Sequence, residues 1–377
     1  MSNSLSDKAL LPRWAVRDAL LQLPYLRIAL MALLLTLVAN LGVTLLVGSF
    51  RLALTDWLEG RLSADIYVAA EISDLTDQTW LKAAHVRYGL DTRFRNRPAT
   101  LYAVDADAPD VLAVGLAKGL PNGLSLWRRG EASASGAVPV LANEQLHYLA
   151  GVSLGEEVTL MDQRYQVVGF RHDYGNVDFA FWLPTRVARA QFASLPSRGT
   201  AIWVQPGEMQ AARAGLMAVG LEPGQWLEQE RVKAISLQIF DRTFAITSAL
   251  NTLTLVVAGI ALFAALMALH QGRLMDYGQW RALGLRWPEF LLILGLPLIL
   301  MVLLTLLAAL PLGYALSWLL IHQLNVIAFG WTMPLLWSWQ PVYSLGALTL
   351  FIAALTLLFS LFVSQRHLRL AVRQGRS

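Results

Sequence analysis

Apolar positions are unevenly spread along the 377-residue chain, and four stretches of 20 or more residues carry no Asp, Glu, Lys or Arg. They run 28–50, 244–271, 290–343 and 344–365, the last two adjoining. About 20 apolar residues at ~1.5 Å rise cross the ~30 Å hydrocarbon core of a bilayer. A charge at mid-bilayer costs roughly 2.5–3.5 kcal/mol on insertion scales, so uncharged runs of this length are what a membrane selects. The stretch from 290 to 365 is long enough for two spans. It divides at 325–341, where Gly330, Pro334 and Pro341 break the helix and Trp331, Trp337 and Trp339 suit a membrane face. The predicted spans are 28–50, 243–269, 290–318 and 343–364, with Pro297 and Pro311 as kink points in the third.

Between the first and second spans the pattern changes to short alternating stretches. Leu52, Leu54, Trp57, Leu58 and Leu62 continue the first span as an amphipathic stalk over 51–62. A strand at 65–69, a helix at 76–88 and strands at 92–97 and 100–104 follow. The centre reads as β-rich: a strand at 138–141, a short helix at 143–149, and strands at 157–161 and 164–170 forming a hairpin around Asp162-Gln163. A strand at 179–183 leads through Pro184 into a helix at 185–192. A strand at 201–205, a helix at 208–219 and a second stalk at 227–240 close the region. The predicted fold is membrane α-helical with four transmembrane helices, plus an α+β extracytoplasmic domain carrying an inserted β-rich subdomain.

Charge orients this arrangement. Eleven basic residues (Lys8, Arg13, Arg17, Arg27, Arg273, Arg281, Arg286, Arg366, Arg369, Arg373, Arg376) flank the spans at 1–27, 270–289 and 365–377, against four acidic ones. The loop between the third and fourth spans has neither sign. The positive-inside rule therefore predicts cytoplasmic termini and a cytoplasmic 270–289 segment, with 51–242 and the 319–342 loop outside. The sequence pI of about 9.4 is then a topology signal, and no nucleic-acid partner is expected. Only 15% of residues are charged, against about 25% in a typical soluble domain. The first apolar segment is longer than a signal-peptide core and lacks a small-residue cleavage pattern, so it is expected to remain as an anchor. Without cysteine there is no disulfide framework and no thiolate metal site.

Candidate chemistry is sparse. The chain has no G-x-x-x-x-G-K-[ST] phosphate loop, G-x-S-x-G elbow or H-E-x-x-H pair, so no catalytic residue, cofactor or metal is expected, and the chain is not read as an enzyme. His172-Asp173 are adjacent and would point to opposite faces of a strand, which favours a turn or surface role. No ionisable Asp, Glu, Lys or Arg lies within a span, which argues against a self-powered pump. Asn40, Asn251, Thr36, Thr44, Thr247 and Thr254 suit interhelical hydrogen bonds. The informative segment lies between the second and third spans. Asp276 sits near a helix start and Gly284 at a C-terminal cap position, while Tyr277, Trp280 and Leu283 form an apolar stripe. Such a helix either lies on the membrane face or fits a partner's groove.

That segment resembles the cytoplasmic coupling segment of FtsX/MacB-like ABC transporter permeases, roughly R-x-x-E-[FIL]-G-x-x-R-A-L-G. Asp276 stands for the acidic residue and Tyr277 for the apolar one, while Gly278 and Arg281-Ala282-Leu283-Gly284 match directly. Gln279-Trp280 departs from the usual aliphatic pair. The likeness extends to the basic helix at 13–20, the domain start at 56–68, the β-subdomain at 152–170, the Asp173-Tyr174-Gly175-Asn176 stretch and the basic tail from Arg366. The resemblance implies a permease subunit in the bacterial inner membrane, with Asp276, Tyr277, Gly278, Trp280, Arg281, Leu283, Gly284 and Arg286 contacting a cytoplasmic ABC ATPase dimer. It also implies pairing with a second permease half, since the chain looks like one half of a long permease. Membrane lipid and a periplasmic protein are the other partner classes. Export or extraction of a lipid, lipoprotein, peptide or other amphipathic molecule is the favoured output. Signalling to a periplasmic hydrolase is the alternative.

Overall fold

The computed structural model describes residues 4–72, 75, 78–113, 116–272 and 287–374. They form two compact units, one made of 1–48, 243–319 and 335–377, the other of 49–242 and 320–334.

The first unit is helical. Its segments come from α1 (Ser4–Arg61), the long helix Gln229–Gly272, the helix Trp287–Leu319 and the helix Trp339–Gln374. Each contains a stretch long and apolar enough to cross a membrane, with window mean hydropathies from 1.9 to 2.5. Pro297 and Pro311 both lie within the third helix, which continues through them. Leu33, Leu37, Leu262, Val302 and Ala353 pack in one buried cluster. Helix approach is close where side chains are small: a Cβ on Gly42 would stand 2.8 Å from Leu316, and one on Gly313 2.8 Å from Leu41. In that interior Asn40 Nδ2 donates to the Thr36 carbonyl at 2.8 Å and to Thr254 Oγ1 at 3.3 Å. The expected interhelical hydrogen bond therefore forms. Outward residues such as Ile28, Leu35 and Ile246 are large, apolar and exposed, the pattern of a surface solvated by lipid.

The second unit is built on one ten-stranded mixed sheet. The strands are β1 (Ile66–Val68), β2 (Leu81–Phe94), β3 (Arg97–Val104), β4 (Leu116–Gly119), β5 (Val138–Asn143), β6 (Glu157–Leu160), β7 (Gln163–Arg171), β8 (Phe179–Pro184), β9 (Ser197–Val204) and β10 (Trp226–Glu228). Their order is β10-β1-β9-β2-β3-β8-β5-β7-β4, with β6 paired to β7. Most pairs are antiparallel, and β3–β8 and β5–β7 are parallel. The inserted segment expected from the sequence is present as β4 to β8. It does not form a separate sheet, because β8 pairs with β3 and extends the outer one.

Short helices cover both faces: α2 (Pro109–Ala113), α3 (Gly123–Arg129), α4 (Glu144–Ala150), α5 (Thr185–Gln191) and α6 (Met209–Ala218). Alternation along β8 sorts the core. Phe179, Phe181 and Leu183 join Leu146 of α4 and Ala188 of α5, whereas Ala180 and Trp182 join Val111 of α2 and Trp127 of α3. The buried Trp127 indole is satisfied by donating to the Trp182 carbonyl at 2.7 Å.

The helix expected over 76–88 is overturned where it is described: 81–88 belong to strand β2. Leu81, Lys82, Ala83 and Ala84 favour helix, but pairing to β9 on one side and β3 on the other decides the matter. The β2–β3 turn falls at Arg95-Asn96, both with positive φ, as a two-residue hairpin requires. The later hairpin turns at Met161-Asp162, one residue before the expected position.

Candidate functional site

The expected coupling residues Asp276, Tyr277, Gly278, Trp280, Arg281, Leu283, Gly284 and Arg286 lie outside the described residues, which resume at Trp287. The helix opening there is α8 (Trp287–Leu319), following α7 (Gln229–Gly272). The most densely connected polar site in the described chain is in the second unit, around the turn that follows β7.

Residues 172–176 leave the sheet as an irregular turn, and three segments converge on it. The first is the domain end of α1. Trp57 Nε1 donates to the His172 carbonyl at 2.9 Å, and Arg61 pairs with the buried Asp173 carboxylate at 3.2 Å. The second is the start of α4. The Gln145 amide donates to the carbonyls of Asp173 at 3.1 Å and Asn176 at 2.9 Å, while Glu144 stands 2.7 Å from His172 Nδ1. The third is the segment that follows α8: a π-helical turn (Leu320–Leu324), α9 (Asn325–Phe329) and the extended stretch beyond it.

That third segment is held by the same Glu144. Its Oε1 accepts from Thr332 Oγ1 at 2.6 Å and its Oε2 from the Thr332 amide at 3.1 Å. Glu144 is 4% exposed, so its carboxylate oxygens are satisfied by these donors rather than by water. Gly330 ends α9 with φ +74°, and a Cβ there would meet Leu149 of α4 at 2.6 Å, so both its conformation and its contact require glycine. Asn325 Nδ2 closes the loop on itself by donating to the Trp331 carbonyl at 2.7 Å.

Aromatic rings fill the space among these bonds. Tyr174 stacks on His172 (centroids 5.3 Å apart), meets Trp331 edge-on at 4.9 Å and lies 5.8 Å from Trp57. Trp331 also stacks on Phe50 at 5.4 Å, and Phe50 contacts Phe240 at 5.4 Å. Burial, with the Glu144 and Asp56 carboxylates, pushes the Tyr174 phenol well above its ordinary range, so it stays neutral. The domain ends of α1 and α7 are tied directly by Arg51–Asp241 at 3.0 Å and Lys233–Glu59 at 2.5 Å. They enter the sheet at neighbouring strands, since β1 and β10 pair with Ile66 opposite Glu228. The site is thus a clasp gathering both stalks, α4 and the 320–334 loop.

His172 and Asp173 face different partners, Glu144 and Arg61, so they form no pair with each other; Asp173 is buried rather than at the surface. Sequence reasoning missed Glu144 and Thr332, and it placed Trp331 at a membrane face, whereas the structure buries it against Phe50 and Tyr174. The local signal for the loop residues is a tryptophan followed by threonine between two helix breakers.

In its helices and its domain the chain resembles FtsX/MacB-like permeases: four helices suited to a membrane, and one α/β domain carried between the first two. It is 27% identical to the uncharacterized ABC transporter permease protein Rv0987 of Mycobacterium tuberculosis, over an alignment of 376 residues. That alignment takes in 91% of this chain and 42% of the relative, so the chain spans less than half the relative's length. No family model matches. Among solved structures, the extracellular domain of the noncanonic ABC-type transporter YknZ from Gram-positive bacteria aligns at 12% identity and a TM-score of 0.31, covering 44% of this chain and 98% of that one. The periplasmic region of MacB from Actinobacillus actinomycetemcomitans aligns at 12% identity and a TM-score of 0.34, covering 47% and 94%. These two structural likenesses are too distant to bear on function.

Proposed function

We propose that the chain is the membrane subunit of an FtsX/MacB-type ABC transporter, driven by a separate cytoplasmic ATPase dimer and working beside a second permease half. In this reading the termini and the 270–289 segment are cytoplasmic and the α/β domain lies on the far side. The 276–286 segment docks into the ATPase, with Tyr277, Trp280 and Leu283 as anchors and Arg281 as the polar contact. Nucleotide-driven movement there shifts α7 and α1, whose far ends enter the sheet at paired strands. Sliding one stalk past the other then shears the β1–β10 edge, and the clasp at 172–176 passes the movement to α4. The output is export or extraction of an amphipathic molecule such as a lipid, lipoprotein or peptide.

The observation that carries this reading is the union of span and stalk in single helices: α1 runs unbroken to Arg61 and α7 begins at Gln229, one residue after β10. A helix transmits displacement along its axis through its hydrogen-bonded backbone. The test is to co-express the chain with candidate ABC ATPase subunits from the same genome and purify the complex. Nucleotide turnover in a complex holding two permease halves is expected. Turnover by the purified permease alone, or no capture of the ATPase, contradicts the proposal.

A further inference from the structure

A second feature of the α/β domain adjoins the clasp and shares Arg61 and His172 with it. Beside β7 and α2 lies a cavity of about 190 Å³ lined by four arginines, Arg61, Arg87, Arg171 and Arg198, and by one carboxylate, Asp110. Three of the arginines have their own counter-ions. Arg61 pairs with Asp173, Arg87 with Asp110 at 2.7 Å, and Arg198 with Asp91. Arg171 has none.

Arg171 is the last residue of β7 and is 6% exposed. Its side chain has one hydrogen bond among the described residues, a long 3.4 Å contact to the Val111 carbonyl, and its guanidinium lies 5.4 Å over the Trp182 ring. A guanidinium offers five donors in a planar fork, which matches the oxygens of a phosphate. Burial, and next the neighbouring Arg61, lower its pKa to about 10; it therefore remains charged at neutral pH. A buried guanidinium with a single long hydrogen bond has donors left for a further acceptor. Beside the guanidinium the lining is aromatic, with Trp182 stacked on Tyr102 at 5.8 Å.

We propose that this cavity binds a phosphate group, either free or carried by a lipid headgroup, with Arg171 as the bidentate donor. Arg61 and Arg87 add positive potential at its rim, and the lone Asp110 is already engaged by Arg87. The bound anion would supply the acceptors that the chain leaves open at Arg171.

The test uses the full chain in detergent and in nanodiscs, with inorganic phosphate, glycerol 3-phosphate and phosphatidylglycerol as probes, chloride at equal ionic strength as the control, and phosphatidylcholine as the neutral lipid. Inorganic phosphate or glycerol 3-phosphate should raise the melting temperature of the wild-type chain above the chloride control, and Arg171→Met should abolish the shift. Arg171→Met without anion should melt at or above wild type, because a desolvated charge has been removed. Phosphatidylglycerol retained by wild type through purification but lost from Arg171→Met, with no response to free phosphate, assigns the phosphate to a lipid. A response to free phosphate without lipid retention assigns it to a soluble compound. Arg171→Lys keeps the charge without the fork and should weaken binding at least tenfold; this variant decides the matter if Arg171→Met does not fold. The proposal is overturned if wild type responds to none of the probes, or if Arg171→Met or Arg171→Lys binds as tightly as wild type.

Discussion

Replacing Thr332 by valine removes one hydroxyl from the clasp while keeping the side chain's shape. The hydroxyl donates to Glu144 Oε1 at 2.6 Å, and that carboxylate is nearly inaccessible to water. Hydrogen bonds to charged groups contribute about 1.5–3 kcal/mol each, and leaving a buried acceptor unmade falls at the upper end. At ~1.4 kcal/mol per factor of ten, Thr332→Val should raise the opening equilibrium of the 325–334 loop about ten- to a hundredfold. The Thr332 amide still donates to Oε2 and His172 still faces it, so the loop should open locally without global unfolding. Amide hydrogen exchange reads this directly: the Gly330 amide, bonded to the Val326 carbonyl at 2.9 Å, and the amides of α4 should exchange faster by that factor. The amides of β2 and β9 should not change. Exchange at Gly330 identical to wild type would show that the Glu144–Thr332 contact does not hold the loop.

Three further outcomes follow from other parts of the account. Reporter fusions at Ser4, Gly284 and Gly375 should report the cytoplasm and those at Gly130 and Trp331 the far side; cytoplasmic activity at Gly130 would invert the topology. Trp280→Ala should weaken capture of the ATPase in detergent at least tenfold, since aromatic anchors at interfaces typically contribute about 2 kcal/mol or more; capture at the wild-type level would remove 276–286 from the interface. Phe181→Ala empties a fully buried site in the main core cluster and should cost about 3–5 kcal/mol in denaturant unfolding of the domain; a loss under 1 kcal/mol would contradict the packing.

The four spans were legible because lipid imposes a rule that length and charge alone satisfy, and the first stalk because Leu54, Trp57 and Leu58 keep the helical period past the span. Strands β5 to β8 were legible for a similar reason: each is short, bounded by turn residues and alternating or fully apolar. Strand β2 was not, because Leu81-Lys82-Ala83-Ala84 carries helical propensity and only its two neighbouring strands, one of them over 100 residues away, reverse it. Nor was the single sheet, since the parallel pairing of β3 with β8 joins residues 80 apart. The clasp was hidden for the same physical reason: Glu144 and Thr332 stand 188 residues apart, and neither has a local pattern that names the other. Arg171 falls one residue past the strand expected at 164–170, and its place in the cavity became visible only when β7, α2 and α1 were assembled around it.

The central claim is that movement of the two stalks against each other couples the ATPase to the domain. Arg51 and Asp241 join the stalks at 3.0 Å and are each about half exposed, and the chain contains no cysteine to interfere. Arg51→Cys with Asp241→Cys, linked by a short thiol-cleavable reagent, therefore locks one stalk to the other at a known point. In the reconstituted complex, the locked protein should lose at least tenfold of its ATP turnover and regain it when the link is cleaved. Full turnover with the link complete would contradict the claim.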